Sequence, residues 1–195
     1  MEIARRKERL RVERLRQRRA VSASGAAIAE RAVAARLTAL AEFSECRRLV
    51  LYSAVSGELG TAALGEWAAT RGVPLLWPRI VGEELEFVEA ESSERVAGAF
   101  GILEPPTARA ASALAAGDWV VVPGLAFDAS GARLGRGGGF YDRALTAAPE
   151  PVRVGVGYDF QCVDPVPVGP LDAAMDWVVT DERVLAARRG AREEL

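Results

Sequence analysis

A chain of 195 residues, half of them hydrophobic, is long enough to bury a full core as one domain, here expected to span residues 1–195. The absence of histidine excludes Ser-His and Cys-His nucleophilic relays and histidine metal ligation, and the two cysteines, Cys46 and Cys162, lack metal-ligand spacing and suit a reduced, cytoplasmic protein. The net charge of −2 conceals an asymmetry: residues 1–20 hold nine basic and three acidic side chains, leaving the remainder acidic. This charged start has no signal-peptide apolar stretch, and no apolar run approaches membrane-spanning length.

In chain order, residues 2–20 read as a helix without Gly or Pro, with Lys7, Arg11, Arg14 and Arg18 on one face and a thin apolar side (Ile3, Leu10, Leu15) that must lean on the rest of the molecule. A second helix is predicted over 26–43, capped by Ser22 or Ser24. A strand over 47–53 leads into the segment SGELGT, and a helix over 61–70 stops at Gly72. Strands follow over 73–77 and 85–88 as a hairpin, and residues 100–106 must be extended or turned ahead of Pro105 and Pro106. A short alanine-rich helix over 109–116 precedes the continuous apolar run 119–122, which reads as a buried strand. Strands over 152–158 and 177–180 and a charged tail over 181–195 complete the chain. Strands alternating with helices predict an α/β layered fold with a mainly parallel central sheet flanked by helices, plus the N-terminal basic helix.

The densest chemistry lies between Pro123 and Arg143, PGLAFDASGARLGRGGGFYDR. An apolar strand runs through a Pro-Gly turn into a loop with glycines at 131, 135, 137, 138 and 139, then into a helix start at Tyr141-Asp142-Arg143. Such a junction lets backbone N–H groups converge on an anion. Arg133 and Arg136 add charge suited to phosphate, and Asp142 is a residue type that holds a divalent metal beside it. The loop matches neither the Walker A pattern nor GxGxxG, since the sixth position from Gly135 is Phe140. From residues alone it reads as a polyphosphate site, against the plainer alternatives of a structural turn and an Asp142–arginine ion pair.

Other residues stay open on residue type alone. Lys7 is the sole lysine among 25 basic residues, which suits either a compositional bias or a need for a compact ammonium. Glu58 follows the first strand, where α/β proteins place ligands, but a solvated loop carboxylate reads equally well. Trp77, Arg79 and Phe87 fit either core and rim or a slot for a flat heterocycle, and Asp172 and Asp176 fit either caps or metal contacts.

The run RLGRGGGFYDR, the preceding PGLAFD, GELGT around Glu58, WPR, GILEP and a late D-x-x-M-D resemble, nearly end to end, the 5-formyltetrahydrofolate cyclo-ligase (5,10-methenyltetrahydrofolate synthetase) family. The resemblance implies that Lys7 and Arg11 contact ATP and that Arg133, Leu134, Gly135, Arg136, Gly137, Gly138, Gly139, Phe140 and Tyr141 hold its triphosphate, with positions 136–140 also lining the folate pocket. It implies Mg²⁺ at Asp142 and Asp172, folate contacts from Glu58 and Ser53, and catalytic roles for Lys7, Arg136 and Glu58. Gly138 stands where some members carry lysine, so that role falls to Arg136, Lys7 or the backbone; Phe140 replaces a frequent tyrosine and keeps the aromatic face.

The implied reaction is ATP-dependent closure of 5-formyltetrahydrofolate to 5,10-methenyltetrahydrofolate with release of ADP and phosphate. It suits a chain without histidine, because a formyl oxygen attacks phosphorus without first losing a proton. A different phosphoryl-transfer or phosphosugar enzyme on a similar sheet is one alternative. A nucleic-acid module using the basic helix is another, disfavoured by the acidic remainder. A small-molecule substrate, no nucleic acid or membrane partner and a monomeric state are expected.

Overall fold

In the computed structural model, which describes residues 2–98, 101–148 and 150–187, the chain runs α1 (Glu2–Arg19), α2 (Ala23–Thr38), β1 (Arg48–Val50), α3 (Ala62–Arg71), β2 (Leu75–Val81), β3 (Glu84–Glu89), β4 (Val96–Ala97) and β5 (Leu103–Glu104). It continues through β6 (Asp118–Pro123), β7 (Ala126–Phe127), β8 (Arg133–Leu134), α4 (Phe140–Ala147), β9 (Val152–Gly157), β10 (Trp177–Thr180) and β11 (Val184–Ala186). Seven strands form one sheet in the order β11-β10-β9-β6-β1-β2-β3. The five strands from β10 to β2 are mutually parallel, while β3 and β11 close the edges antiparallel. The expected α/β architecture is therefore the observed one.

Side chains of the central strands alternate between two cores because successive residues of a strand face opposite sides. Leu49, Trp119, Val121 and Val154 lie beneath α2 (Ala29, Val33, Leu37) and α3 (Leu64, Ala68). Val50, Val120, Val122 and Val178 face the opposite way, with Leu145 of α4 and Phe127. Each fully buried Val or Leu there contributes about 1.5–3 kcal/mol from removal of apolar surface from water. The helix α1 has little apolar surface, and its Leu10 packs on a small cluster of Ala126, Ala132, Leu134 and Val166.

Several elements differ from the sequence expectation. Helix α2, capped by Ser22 accepting from the Gly25 amide at 3.1 Å, ends at Thr38, and residues 41–45 form a separate short turn that drives Phe43 between Trp67 and Trp119. Residues 109–116 are not helical: the Ser112 amide donates to Phe87 O at 2.7 Å and Ala111 bridges Val88, so β3 captures this segment as an added edge. Eight residues carry too few helical hydrogen bonds to resist that competition. Part of the expected glycine loop is a hairpin, β7 with β8, turned by Asp128, whose carboxylate accepts from Ser130 N at 2.9 Å and Ala132 N at 3.2 Å. Gly131 belongs to that turn at φ +85°, where a Cβ would overlap the Met175 carbonyl. Within the expected tail, 184–186 pairs with β10; residues 188–195 lie outside the described residues, as does Phe100 at the start of the extended run 100–106. Trp77 and Phe87 are buried core residues rather than a heterocycle slot, and the Trp77 indole donates to Ala90 O at 3.0 Å.

Candidate active site

The chain leaves β1 towards β2 on one side of the sheet and later returns at β6 on the other. The carboxyl ends of β1 and β6 therefore part at a switch point, the place where open α/β sheets leave a crevice. A cavity of about 1050 Å³ opens there. Tyr52, Ser53 and Glu58 line it from the β1 side, Pro123 and Gly124 from β6, Lys7, Arg11 and Arg18 from α1, and residues 133–143 from the glycine segment and α4.

Glu58 is not the solvated loop carboxylate that residue type alone allowed. Its side chain is 9% exposed and receives the Val55 amide at 3.1 Å, with Arg136 Nη2 at 3.2 Å and Arg18 Nη2 at 3.5 Å from Oε1. Arg136 is 45% exposed, whereas Arg18 is 2% exposed and also donates to the carbonyls of Val55, Ser56 and Gly57 at 3.0–3.2 Å. Burial, opposed by the Glu58 charge, lowers the pKa of Arg18. Tyr52 donates to Leu59 O at 2.6 Å, and burial raises its pKa well above the usual phenol value. Tyr141 is raised for the same leading reason.

On the opposite wall, Arg11 Nε donates to Gly135 O at 3.1 Å and its guanidinium lies beside Gly137. Gly137 (φ +106°) and Gly139 (φ +69°) take backbone conformations that side chains disfavour, and Gly139 ends the segment as the N-cap of α4. The first amides of that helix have no partner inside it and face an anion site favourably. The face of α1 that carries Lys7, Arg11 and Arg18 is turned inward, onto the cavity wall, while Arg5, Arg6, Arg9, Arg16 and Arg19 stay exposed.

Asp142 and Asp172 are neighbours, since Asp142 Oδ1 accepts from the amide of Ala173 at 3.2 Å. Each already holds a cation. Arg133, 4% exposed at its side chain, reaches Asp142 at 2.7 Å and Pro123 O at 3.2 Å; Lys7 reaches Asp172 at 2.6 Å. Burial pushes the Asp172 pKa up, but the Lys7 ammonium, the Gly169 amide and the more distant Arg133 outweigh it, and the net shift is downward. Among the described residues no cluster of three or more acidic, thiol or imidazole groups could cage a metal. Two adjacent carboxylates are nonetheless what Mg²⁺ needs when phosphates supply its remaining ligands, so this pair fits the ion. Asp176, in contrast, receives the Arg153 amide at 2.8 Å and serves β9. Ser53 lines the cavity, accepts from Arg95 at 2.7 Å and donates to Leu103 O at 2.5 Å.

Residues 3–181 match the model of the 5-formyltetrahydrofolate cyclo-ligase family. The chain belongs to that family. A cyclo-ligase of Mycolicibacterium smegmatis is 36% identical over 151 residues, covering 73% of this chain and 78% of that protein. The Escherichia coli K12 cyclo-ligase is also 36% identical, over 70% of this chain and 79% of its own. The solved structure of Aquifex aeolicus 5,10-methenyltetrahydrofolate synthetase superposes with a TM-score of 0.80 at 31% identity, covering 97% of this chain and 96% of that one.

Within this cyclo-ligase frame, sequence reasoning placed Arg18 only on the basic face of α1, with no partner. Its destination, a turn 37–39 residues away, has no signature in local spacing. The apolar lining from Ile80, Leu85 and Ile102 was also missed, because such residues read as ordinary core in a strand or extended run.

Proposed function

We propose that this chain catalyses ATP-dependent cyclisation of 5-formyltetrahydrofolate to 5,10-methenyltetrahydrofolate, releasing ADP and phosphate. The observation that carries this reading is the convergence of Lys7, Arg11, Gly135–Gly139 and Glu58 on one cavity from three distant parts of the chain. In the proposed reaction the N5-formyl oxygen attacks the γ-phosphorus, the bond to the β–γ bridging oxygen breaks and ADP leaves. N10 then attacks the activated formyl carbon, its proton passes to solvent, and the carbon–oxygen bond breaks to release phosphate and close the five-membered ring.

The residues have alignment and charge neutralisation to supply, not deprotonation of a nucleophile. Lys7 and Arg11 are proposed to hold the nucleotide, with the amides of 135–139 and the start of α4 receiving the phosphates. Arg136, half exposed at the rim where it pairs with Glu58 and donates to Val55 O, is proposed to neutralise charge on the transferring phosphoryl group. Glu58 would orient the folate by hydrogen bonding, with Ser53 and the aromatic face of Phe140 beside it. Asp142 and Asp172 would hold Mg²⁺, which supplies neutralisation of phosphate charge when bound. Arg133, paired with Asp142, and Leu134, packed with Ala126, Ala132 and Val166, would anchor the start of the glycine segment.

The test is the near-ultraviolet absorbance of methenyltetrahydrofolate with purified protein, 5-formyltetrahydrofolate, ATP and Mg²⁺. Product that requires all of these components is expected. ATP binding without any product would sink the assignment of the acceptor.

A further inference from the structure

We infer that Arg18 is the positioning residue for Glu58, holding the turn that aims this carboxylate into the cavity. The inference rests on the folate-binding reading of Glu58 given above and deepens it.

Residues Val55 to Glu58 form a tight turn closed by the Glu58 amide donating to Val55 O at 3.0 Å. Both central residues have positive φ: Ser56 at +51° and Gly57 at +73°. Ser56 carries a side chain, so its left-handed backbone persists only where the surroundings enforce it. The turn also gathers the carbonyls of Val55, Ser56 and Gly57 onto one point, which would repel in the absence of a donor. Arg18 donates to all three, Val55 O receiving the Glu58 amide and Arg136 as well. Its guanidinium spans all three carbonyls at 3.0–3.2 Å and approaches Glu58 Oε1 at 3.5 Å.

Among the described residues, every hydrogen bond and ion pair of this side chain goes to residues 55–58. Its Nε and Nη2 are both directed at this one turn, which is more than seating α1 on the sheet would require. The backbone approaches as closely: a Cβ on Gly57 would lie 3.1 Å from Arg18 O, so helix and turn are seated directly against each other. Lysine lacks the planar fork and could not serve three carbonyls and a carboxylate together. Arg136 also reaches Glu58, but from the exposed rim, and it holds one carbonyl of the turn, that of Val55.

The same helix carries Lys7 and Arg11 on the cavity wall, so the ATP KM reports whether α1 remains seated. The experiment is a double-mutant cycle in the cyclisation assay, comparing wild type, Arg18→Met, Glu58→Gln and the double variant, with kcat/KM and KM read for each substrate. Arg18→Met is expected to lower kcat/KM for 5-formyltetrahydrofolate about tenfold or more, while the KM for ATP stays within about twofold. In the Glu58→Gln background the same change is expected to cost less than about twofold, because its effect passes through Glu58. Equal, additive losses in the two backgrounds, or a matching rise in the KM for ATP, would overturn the inference and leave Arg18 as a helix anchor. Should Arg18→Met fail to fold, Arg18→Lys enters the same cycle, and the same non-additivity decides. A wild-type protein that forms no product refutes the functional reading instead, a result distinct from any behaviour of the variants.

Discussion

Replacing Asp142 by alanine tests whether the acid after the glycine segment is also the counter-charge of a buried arginine. Arg133 has a side chain 4% exposed, its Nε already lacks a partner, and Asp142 is its ion-pair partner at 2.7 Å. Asp142→Ala leaves that guanidinium with the Pro123 carbonyl and also strips the Ala173 amide of its acceptor. Breaking one side of a buried pair costs roughly 3–5 kcal/mol. Asp142 is itself one-fifth exposed, so water relieves part of the charge and the low end, about 3 kcal/mol, is expected. For a chain of this size that lowers the midpoint of thermal unfolding by roughly 6–12 °C. Urea unfolding of the ligand-free protein measures it directly. Asp142→Asn keeps an acceptor oxygen and should lose about half as much. Combining Asp142→Ala with Arg133→Met should recover stability, because the uncompensated charge is gone. An Asp142→Ala variant within about 1 kcal/mol of wild type would refute the reasoning and assign Asp142 to ligand binding alone.

Two further outcomes are expected. Gly155→Ala would drive a Cβ into the Phe127 ring and against Met175 Cγ at 3.1 Å, costing about 1–3 kcal/mol of overpacking; an unchanged melting temperature would contradict that packing. The pKa of Asp172 lies below its ordinary value of 3.8, so its contribution is complete above that pH and disappears as pH falls through the depressed folded value. Urea midpoints measured from pH 7 to about pH 2.5 should therefore fall less steeply in Asp172→Asn than in wild type, and equal acid slopes would exclude this linkage.

The α/β alternation was legible because the helices and strands carry their own periodicities and stop signals, such as Ser22 before α2 and Gly72 after α3. The glycine segment was legible for a related reason, since Gly137 and Gly139 occupy positive φ that other residues disfavour. The alanine-rich run 109–116 misled because propensity favours helix there while the free edge of β3 offered its amides a stronger partner. Arg133 read by type as charge suited to phosphate. The fold buries it in the cavity wall against Asp142, an ion pair that the residues alone left open.

What the sequence determined by itself was the local chemistry: a basic helix, a turn-rich phosphate-type segment, a lone lysine, no histidine and a motif run specific enough to mark the family. What the tertiary structure decided was which of these meet. Lys7 finds Asp172 across 165 residues, and Arg136 finds Val55 across 81. Strand order, which no local pattern encodes, sets these meetings: β1 and β6 become neighbours at the switch point only when the whole sheet has assembled. Local residues choose backbone conformation through short-range sterics, but a site at the ends of parallel strands is a product of long-range pairing, and its members carry no mark of one another in the linear chain.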